Sequence, residues 1–421
     1  MNKFFLQLTN TEAQFWDEKL GEIMSLTRKF QSICVALNES FGFNVAEKFV
    51  KISAKHGAEV KTLDVFDAKF RRFGLLKEIL GNFPRLKTLE LRNIKASEEK
   101  HTEFFGTPVI LDDLETVKVE NCNWQVFNVV NGQKIRFLRI GNSEESLVQF
   151  DFVIKFLTKL INLETFEVAG KASDGIFSSE KCKKFNFNLK SFCYGSNFID
   201  DQTEINENLN HFLQTQGNFL KQLKIDVESE EILRTIFTKL TFLESISFHA
   251  FPMNEIFFDE IHVLENLQSV EIYSSFSSKE VAKAFFSKCP NLERIETILD
   301  HEVTPEILNF LSVSNPKTKI LTLKSIRNYD GAKFDLLEHF HVQDIENMVT
   351  FVSFVMINRS IKTSSVHLMT HENFCDEKFQ EFLRQTNIYN FKLNGGIKDK
   401  TMKLEFTSQK QHGLIRENLL G

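Results

Sequence analysis

The stretch Leu111–Cys122, LDDLETVKVENC, sets apolar side chains at Leu114, Val117 and Val119 with polar residues between them. With Leu114 as position 1, the apolar places are 1, 4 and 6 and the polar places are 2, 3 and 5. Positions 4 and 6 share one face of an extended chain, because side chains alternate along a strand. The same phrase returns in FPRLKTLELRNI (83–94), INLETFEVAGK (161–171), FLKQLKIDV (219–227), TFLESISFHA (241–250), ENLQSVEIYS (265–274) and CPNLERIETIL (289–299). A strand phrase that recurs this often marks a chain built from stacked copies of one unit.

Position 1 falls at Val60, Leu86, Leu114, Ile135, Leu163, Leu189, Leu220, Leu243, Leu267, Leu292, Thr318, Leu337, Thr363 and Ile388. The mean step is about 25 residues, inside the window of roughly 20–29 for units that pair a strand with a helix. Between the phrases, Phe70–Leu80, Ser229–Leu240, Glu255–Leu264, Ser278–Ser287, Pro305–Leu311 and Asp376–Arg384 show apolar spacings of three and four, which predict helices. Ser278 stands where a helix cap belongs, and Pro305 where a first turn tolerates proline. The expected fold is α/β: a solenoid of about fourteen irregular repeats over residues 56–408, with a parallel inner sheet and outer helices. Residues 1–55 are expected to form a helical cap and 409–421 a tail.

On these phrases the chain resembles the leucine-rich-repeat family, in the longer, helix-bearing form of horseshoe inhibitors and F-box leucine-rich-repeat proteins. The resemblance covers about residues 56–406. The family often places Asn or Cys at position 9, where it bonds backbone in the turn; here only Cys122 and Asn197 fit, so irregular turns are expected.

Upstream, Leu20, Ile23, Leu26, Phe30, Ile33, Cys34 and Leu37 form a stripe at helical spacing. A physical reading is a helix that covers the open end of the solenoid, as repeat arrays require. The arrangement also resembles the last helix of a degenerate or truncated F-box, because the L-P-x-E opening is absent. That resemblance implies a substrate receptor of a cullin-based ubiquitin ligase, docked on a Skp-type adaptor through Leu20, Ile23, Leu26 and Phe30. The alternative is an interaction scaffold or inhibitor with no ligase role.

Composition narrows the function classes. Lys and Arg number 51 against 57 Asp and Glu, a net charge of −6, which argues against nucleic acid as partner. The 45 phenylalanines against 4 tyrosines and 2 tryptophans read as a compositional bias. Six cysteines without a C-x-x-C pair predict reduced thiols in a cytoplasmic or nuclear protein. The most apolar stretch, Met348–Ile357, is too short to span a bilayer, so no membrane partner is expected. No phosphate-binding glycine loop or G-x-S-x-G elbow appears. His367 and His371 diverge if the segment is a strand, and His339 and His341 read as surface residues. No enzyme activity, cofactor or metal is expected.

What remains is a surface. Positions 3, 5 and 7 face away from the core, on the concave side of the expected solenoid. Position 5 sets like charges side by side at Asp64–Glu90, Lys118–Arg139 and Glu271–Glu296, a conflict that a charged partner is expected to relieve. The candidate partner-binding residues are Glu90, Arg92, Lys118, Arg139 and Glu167, with Lys224, Glu271, Tyr273 and Glu296. The expected partner is a protein substrate or ligand.

Overall fold

The structure, a computed structural model, describes residues 3–8, 31–37, 44–70, 73–96, 107–142, 150–195, 203–226, 229–249, 255–297, 304–326, 331–345, 348–368, 389–394 and 402–408. The chain divides into two units, Met1–Leu220 and Lys221–Gly421.

The first unit carries β1 (Lys3–Leu8), β2 (Ser32–Leu37), β3 (Thr62–Phe70), β4 (Thr88–Ala96), β5 (Val109–Ile110), β6 (Thr116–Glu120), β7 (Val130–Asn131), β8 (Phe137–Asn142), β9 (Thr165–Gly170) and β10 (Ser191–Gly195). All but β5 and β7, which pair with each other, lie in one parallel sheet in chain order. The register follows the phrase: Thr62 lies against Thr88, Thr88 against Thr116, Thr116 against Phe137, and Phe137 against Thr165. Positions 1, 4 and 6 are buried in each repeat from β3 to β10, as at Leu86, Leu89 and Leu91. The connections are α1 (Asn44–His56), α2 (Phe73–Gly81), α3 (Phe150–Leu157), α4 (Lys171–Phe177) and α5 (Thr203–Gln216), with 3₁₀ turns at Trp124–Asn128 and Glu180–Lys184.

Phenylalanine fills the space between helices and sheet. Phe212 of α5 sits 5.1 Å from Phe192 and 5.2 Å from Phe177, ring centre to ring centre. Such offset and edge-on contacts add to the large apolar area each ring buries. After the strands, position 8 turns left-handed in three successive repeats, at Asp67 (φ 51°), Asn93 (φ 56°) and Asn121 (φ 53°). Asp and Asn are the side-chain-bearing residues that tolerate this region best. Asn93 Nδ2 also donates to Asp67 Oδ1 at 2.7 Å, tying one turn to the last.

The second unit carries β11 (Gln222–Asp226), β12 (Ser245–Phe248), β13 (Ser269–Ile272), β14 (Arg294–Thr297), β15 (Ile320–Ile326), β16 (His339–Ile345) and β17 (Thr363–Leu368), parallel and in chain order. β18 (Tyr389–Asn394) and β19 (Met402–Ser408) follow. Its helices are α6 (Glu230–Lys239), α7 (Glu255–Asp259), α8 (Lys279–Ser287), α9 (Thr304–Ser314) and α10 (Met348–Ile357). Ser278 caps α8 as expected, its Oγ accepting from the Val281 N–H at 3.1 Å, and Pro305 lies in the first turn of α9. Each unit is thus an α/β leucine-rich-repeat solenoid, with helical connections on one face of a parallel sheet.

Four expectations need correction. Ile33, Cys34 and Leu37 lie in β2, a strand paired with β3, and not in a helix. All six residues of SICVAL are buried, and a short continuous apolar run does not distinguish strand from helix until a partner edge is present. The repeat register therefore begins upstream of Val60. At the far end, His339 lies against Thr363, so Thr363 is position 3 and the buried Ile361 is position 1. The phrase at Ile388 is no further repeat: β19 runs antiparallel to both β17 and β18. The helix expected over Glu255–Leu264 stops at Asp259; beyond it the Ile261 N–H closes a turn on the Phe258 carbonyl and the Leu264 N–H donates to the Lys288 carbonyl at 2.7 Å. The segment Asp376–Arg384 lies outside the described residues.

Candidate functional site

Position 2, at the start of each strand, forms a charge ladder that the repeat phrase alone does not announce. Lys87 pairs with Glu115 at 3.1 Å and Lys190 with Glu164 at 3.0 Å in the first unit. In the second, Lys221 pairs with Glu244 at 2.6 Å, Lys319 with Glu293 at 2.9 Å and Lys362 with Glu338 at 2.7 Å. Within each of these pairs the signs are opposite across neighbouring strands, the arrangement a purely structural ladder adopts. The Lys362 ammonium holds the Glu338 carboxyl below its ordinary range.

The open face, opposite the helices, carries positions 3, 5 and 7. In the first unit its charges are paired across strands. Asp64, buried on β3, accepts from Arg92 Nη2 at 2.6 Å and from Nε at 3.3 Å, and Cys34 Sγ donates to its Oδ2 at 3.1 Å. The Asp64 carboxylate raises the Arg92 pKa, first through this hydrogen bond. The guanidinium also lies over the Phe66 ring, 5.3 Å from its centre. Lys118 reaches Glu90 at 2.8 Å. Arg139 lies 3.0 Å from Glu120 and 3.8 Å from Glu167.

The like-charge neighbours of this column therefore do not await a partner. Asp64 and Glu90 stand side by side, but each has its own cation, and Lys118 and Arg139 each have their own carboxylate. The sequence expectation of an external charge here is corrected: Lys118–Glu90 and Arg139–Glu167 pair within column 5, and Arg92 and Arg139 also reach diagonally to Asp64 and Glu120 on the preceding strand, contacts that a column-by-column reading does not reveal.

The second unit differs. Glu271 and Glu296 are in register on β13 and β14, flanked at position 5 by Ser247 and Thr322. Glu271 Oε2 accepts from Ser247 Oγ at 2.7 Å and from the Tyr273 hydroxyl at 3.0 Å. Lys224 Nζ sits 5.1 Å from the centre of the Tyr273 ring, which packs 5.5 Å from His249. His249 Nε2 is 2.8 Å from Asp226 Oδ1. Glu296 has no hydrogen bond or ion pair among the described residues. Burial, then the charge of Glu271, holds its carboxyl above the ordinary range, against smaller pulls from Arg294 and Lys224.

The nine residues proposed from sequence thus form two groups: Glu90, Arg92, Lys118, Arg139 and Glu167 on the first unit, and Lys224, Glu271, Tyr273 and Glu296 on the second. The repeat phrase places Asp64, Ser247, His249 and Thr322 on the same face, and their contacts bring them into these groups. Cys34 enters only once SICVAL is read as a strand. Leu20, Ile23, Leu26 and Phe30, the proposed adaptor contacts, lie outside the described residues.

Three buried thiols, Cys122, Cys182 and Cys289, are poor nucleophiles. Burial pushes Cys122 up to about 12 and Cys182 up to about 11, and Cys289 higher still. A thiolate is the reactive form, so these side chains stay protonated near neutrality. Cys122 instead does the backbone work expected at position 9: its Sγ donates to Leu91 O at 3.3 Å and accepts from the Ile94 N–H at 3.4 Å. His339 and His341 each place Nδ1 2.6 Å from a hydroxyl of β17, Thr363 and Ser365 respectively.

No known family's sequence profile matches the chain, and no curated protein sequence matches it. Among solved structures it is similar to the crystal structure of a TLR13–ssRNA13 complex, at 14% identity and a TM-score of 0.46. The match covers 82% of this chain and 48% of that one, so the chain spans about half the length of this structural neighbour. The fold assignment rests on the register and spacing described above.

Proposed function

We propose that this chain is a non-enzymatic recognition module that binds a protein on the open face of its sheet. The observation that carries the reading is the placement of the helical connections on one face, which leaves strand after strand presenting polar and charged side chains on the other. A sheet face of this kind offers a broad, rigid surface whose side chains are set by register. Binding there needs no reacting group, and the module acts by holding its partner in place.

The test is selection of binders from a random peptide display library on the full chain, followed by affinity measurements on substituted chains. Ser245→Trp and Ser269→Trp put bulk at position 3 of the open face and should abolish binding. Glu280→Trp, on the exposed side of α8, should leave it unchanged. Peptides that lose affinity only with Glu280→Trp would overturn the placement.

The finer role implied by the F-box resemblance is a second proposal, a receptor docked on a Skp-type adaptor through Leu20, Ile23, Leu26 and Phe30. It has its own test. Adaptor retained by the full chain and lost with Leu26→Asp and Phe30→Asp supports it; no retention rejects it and leaves the scaffold reading standing.

A further inference from the structure

We propose that the open face of the second unit receives an arginine side chain of the protein ligand, laid over β13, β14 and β15 against Glu271, Glu296 and Thr322. The proposal rests on the recognition reading above and names the chemistry of its central contact.

Three acceptors on adjacent strands are in register: Glu271 against Glu296, and Glu296 against Thr322. Successive entries are about 4.8 Å apart. Each keeps bonding capacity. Both hydrogen bonds to Glu271 go to Oε2, so Oε1 takes none among the described residues. Neither oxygen of Glu296 is bonded, and the Thr322 side chain, on a residue only 8% exposed, makes no hydrogen bond among those residues either. Water reaches the Thr322 Oγ1 atom on the open face, where an incoming donor can take its place. Two carboxylates beside one hydroxyl call for a positively charged group that is all donor.

The first unit shows how this chain treats the same column when the cation is its own. Glu90 has Lys118 on the next strand, and Asp64 has Arg92. Beside Glu271 and Glu296 the corresponding places hold Ser247 and Thr322, which bring no charge. Two cations are close by. Lys224 is engaged over the Tyr273 ring, and the exposed guanidinium of Arg294 makes no hydrogen bond or ion pair among the described residues. Their charges act on Glu296 from a distance, and burial together with Glu271 outweighs them.

A guanidinium fits better than an ammonium or a metal ion. Its planar fork offers five N–H donors in different directions, whereas an ammonium is a compact point charge. Among the described residues, no group of three or more His, Cys, Asp and Glu side chains is arranged to hold a metal ion. The Tyr273 hydroxyl and Ser247 fix the Glu271 carboxylate before binding, which lowers the ordering cost of the contact.

The experiment uses peptides selected on the full chain from a random display library, then synthesised as probes. The expected result is a shared arginine in the selected sequences. Replacing it with citrulline, similar in shape but uncharged, should weaken binding at least tenfold. The double variant Glu271→Gln, Glu296→Gln should lose the same factor for the arginine peptide, be indifferent to citrulline and have a urea midpoint no lower than that of the parent chain. Peptides that bind the double variant as well as the parent chain overturn the proposal and leave the recognition reading intact. Full affinity after replacing the arginine with lysine overturns the guanidinium assignment. A library that yields no binder removes the recognition reading itself.

Discussion

The open faces of the two units follow one phrase and reach opposite electrostatic solutions. On the first, Asp64, Glu90, Glu120 and Glu167 are answered by Arg92, Lys118 and Arg139 from neighbouring strands. On the second, Glu271 is held by two hydroxyls and Glu296 by nothing among the described residues. A column of charged residues is therefore no sign of a binding surface until its internal partners are counted. The first face is satisfied within itself, and the second keeps unused acceptors.

The largest expected effect tests whether the two units share a core logic despite their different faces. Phe212→Ala in the first unit and Phe285→Ala in the second each remove a buried ring that touches several others. Each should cost about 3–5 kcal/mol, read from urea denaturation. A cost below about 1 kcal/mol in either unit would break the parallel.

Next comes the contrast at the carboxylates. Asp64→Asn leaves Arg92 without its charge partner and weakens a half-buried contact, with an expected loss of about 1.5–3 kcal/mol. Glu296→Gln should leave stability unchanged or raise it at neutral pH, since it removes a charge that burial disfavours. Similar losses at both sites would erase the distinction between the faces.

A smaller effect is expected from Lys118→Glu with Arg139→Glu. The first new carboxylate would stand beside Glu90 and the second between Glu120 and Glu167, at about 0.2–1 kcal/mol per like-charge pair. Ligand binding should fall less with this variant than with Glu271→Gln, Glu296→Gln, a difference that paired affinity measurements resolve.

The smallest effect is in the pH dependence. A carboxyl whose folded pKa is raised binds its proton more readily in the native state. Stability is then lost as pH rises from the unfolded value through the raised folded one. Glu296 contributes in that sense just above the ordinary carboxylate range. Glu306 contributes oppositely: Lys279, then Lys283, hold its carboxyl at about 2, so its stabilisation is present above the unfolded value and fades as pH falls toward 2. Urea midpoints of Glu296→Gln and Glu306→Gln across pH 2 to 7 should deviate from the parent chain in opposite directions.

Much of the fold was legible because the core obeys a local rule. Positions 1, 4 and 6 are buried wherever the chain runs as a strand against helices, and they are apolar in most repeats, with Thr318, Thr297 and Ser364 as buried polar exceptions. The ends of the array were less legible. Ser32–Leu37 carries no alternation to betray a strand, and β18 keeps the spacing of about 25 residues and the direction of β17 but pairs with the reversed strand β19, which takes the place beside β17. Equal spacing fixes how often a strand occurs and leaves open which strand it pairs with.

The candidate site divides along the same line. The sequence by itself determined which side chains stand on the open face, since alternation along a strand is a property of the backbone. Only the tertiary structure decided which of them are already satisfied. That depends on register between strands a full repeat apart in the chain, and on whether a flexible arginine or lysine reaches sideways to the next strand or diagonally along it. Arg92 reaches diagonally from position 7 to Asp64 at position 5 of the preceding strand, and Lys224 settles on Tyr273. Those choices are made by geometry at a few ångströms, a scale on which residues distant in sequence become neighbours.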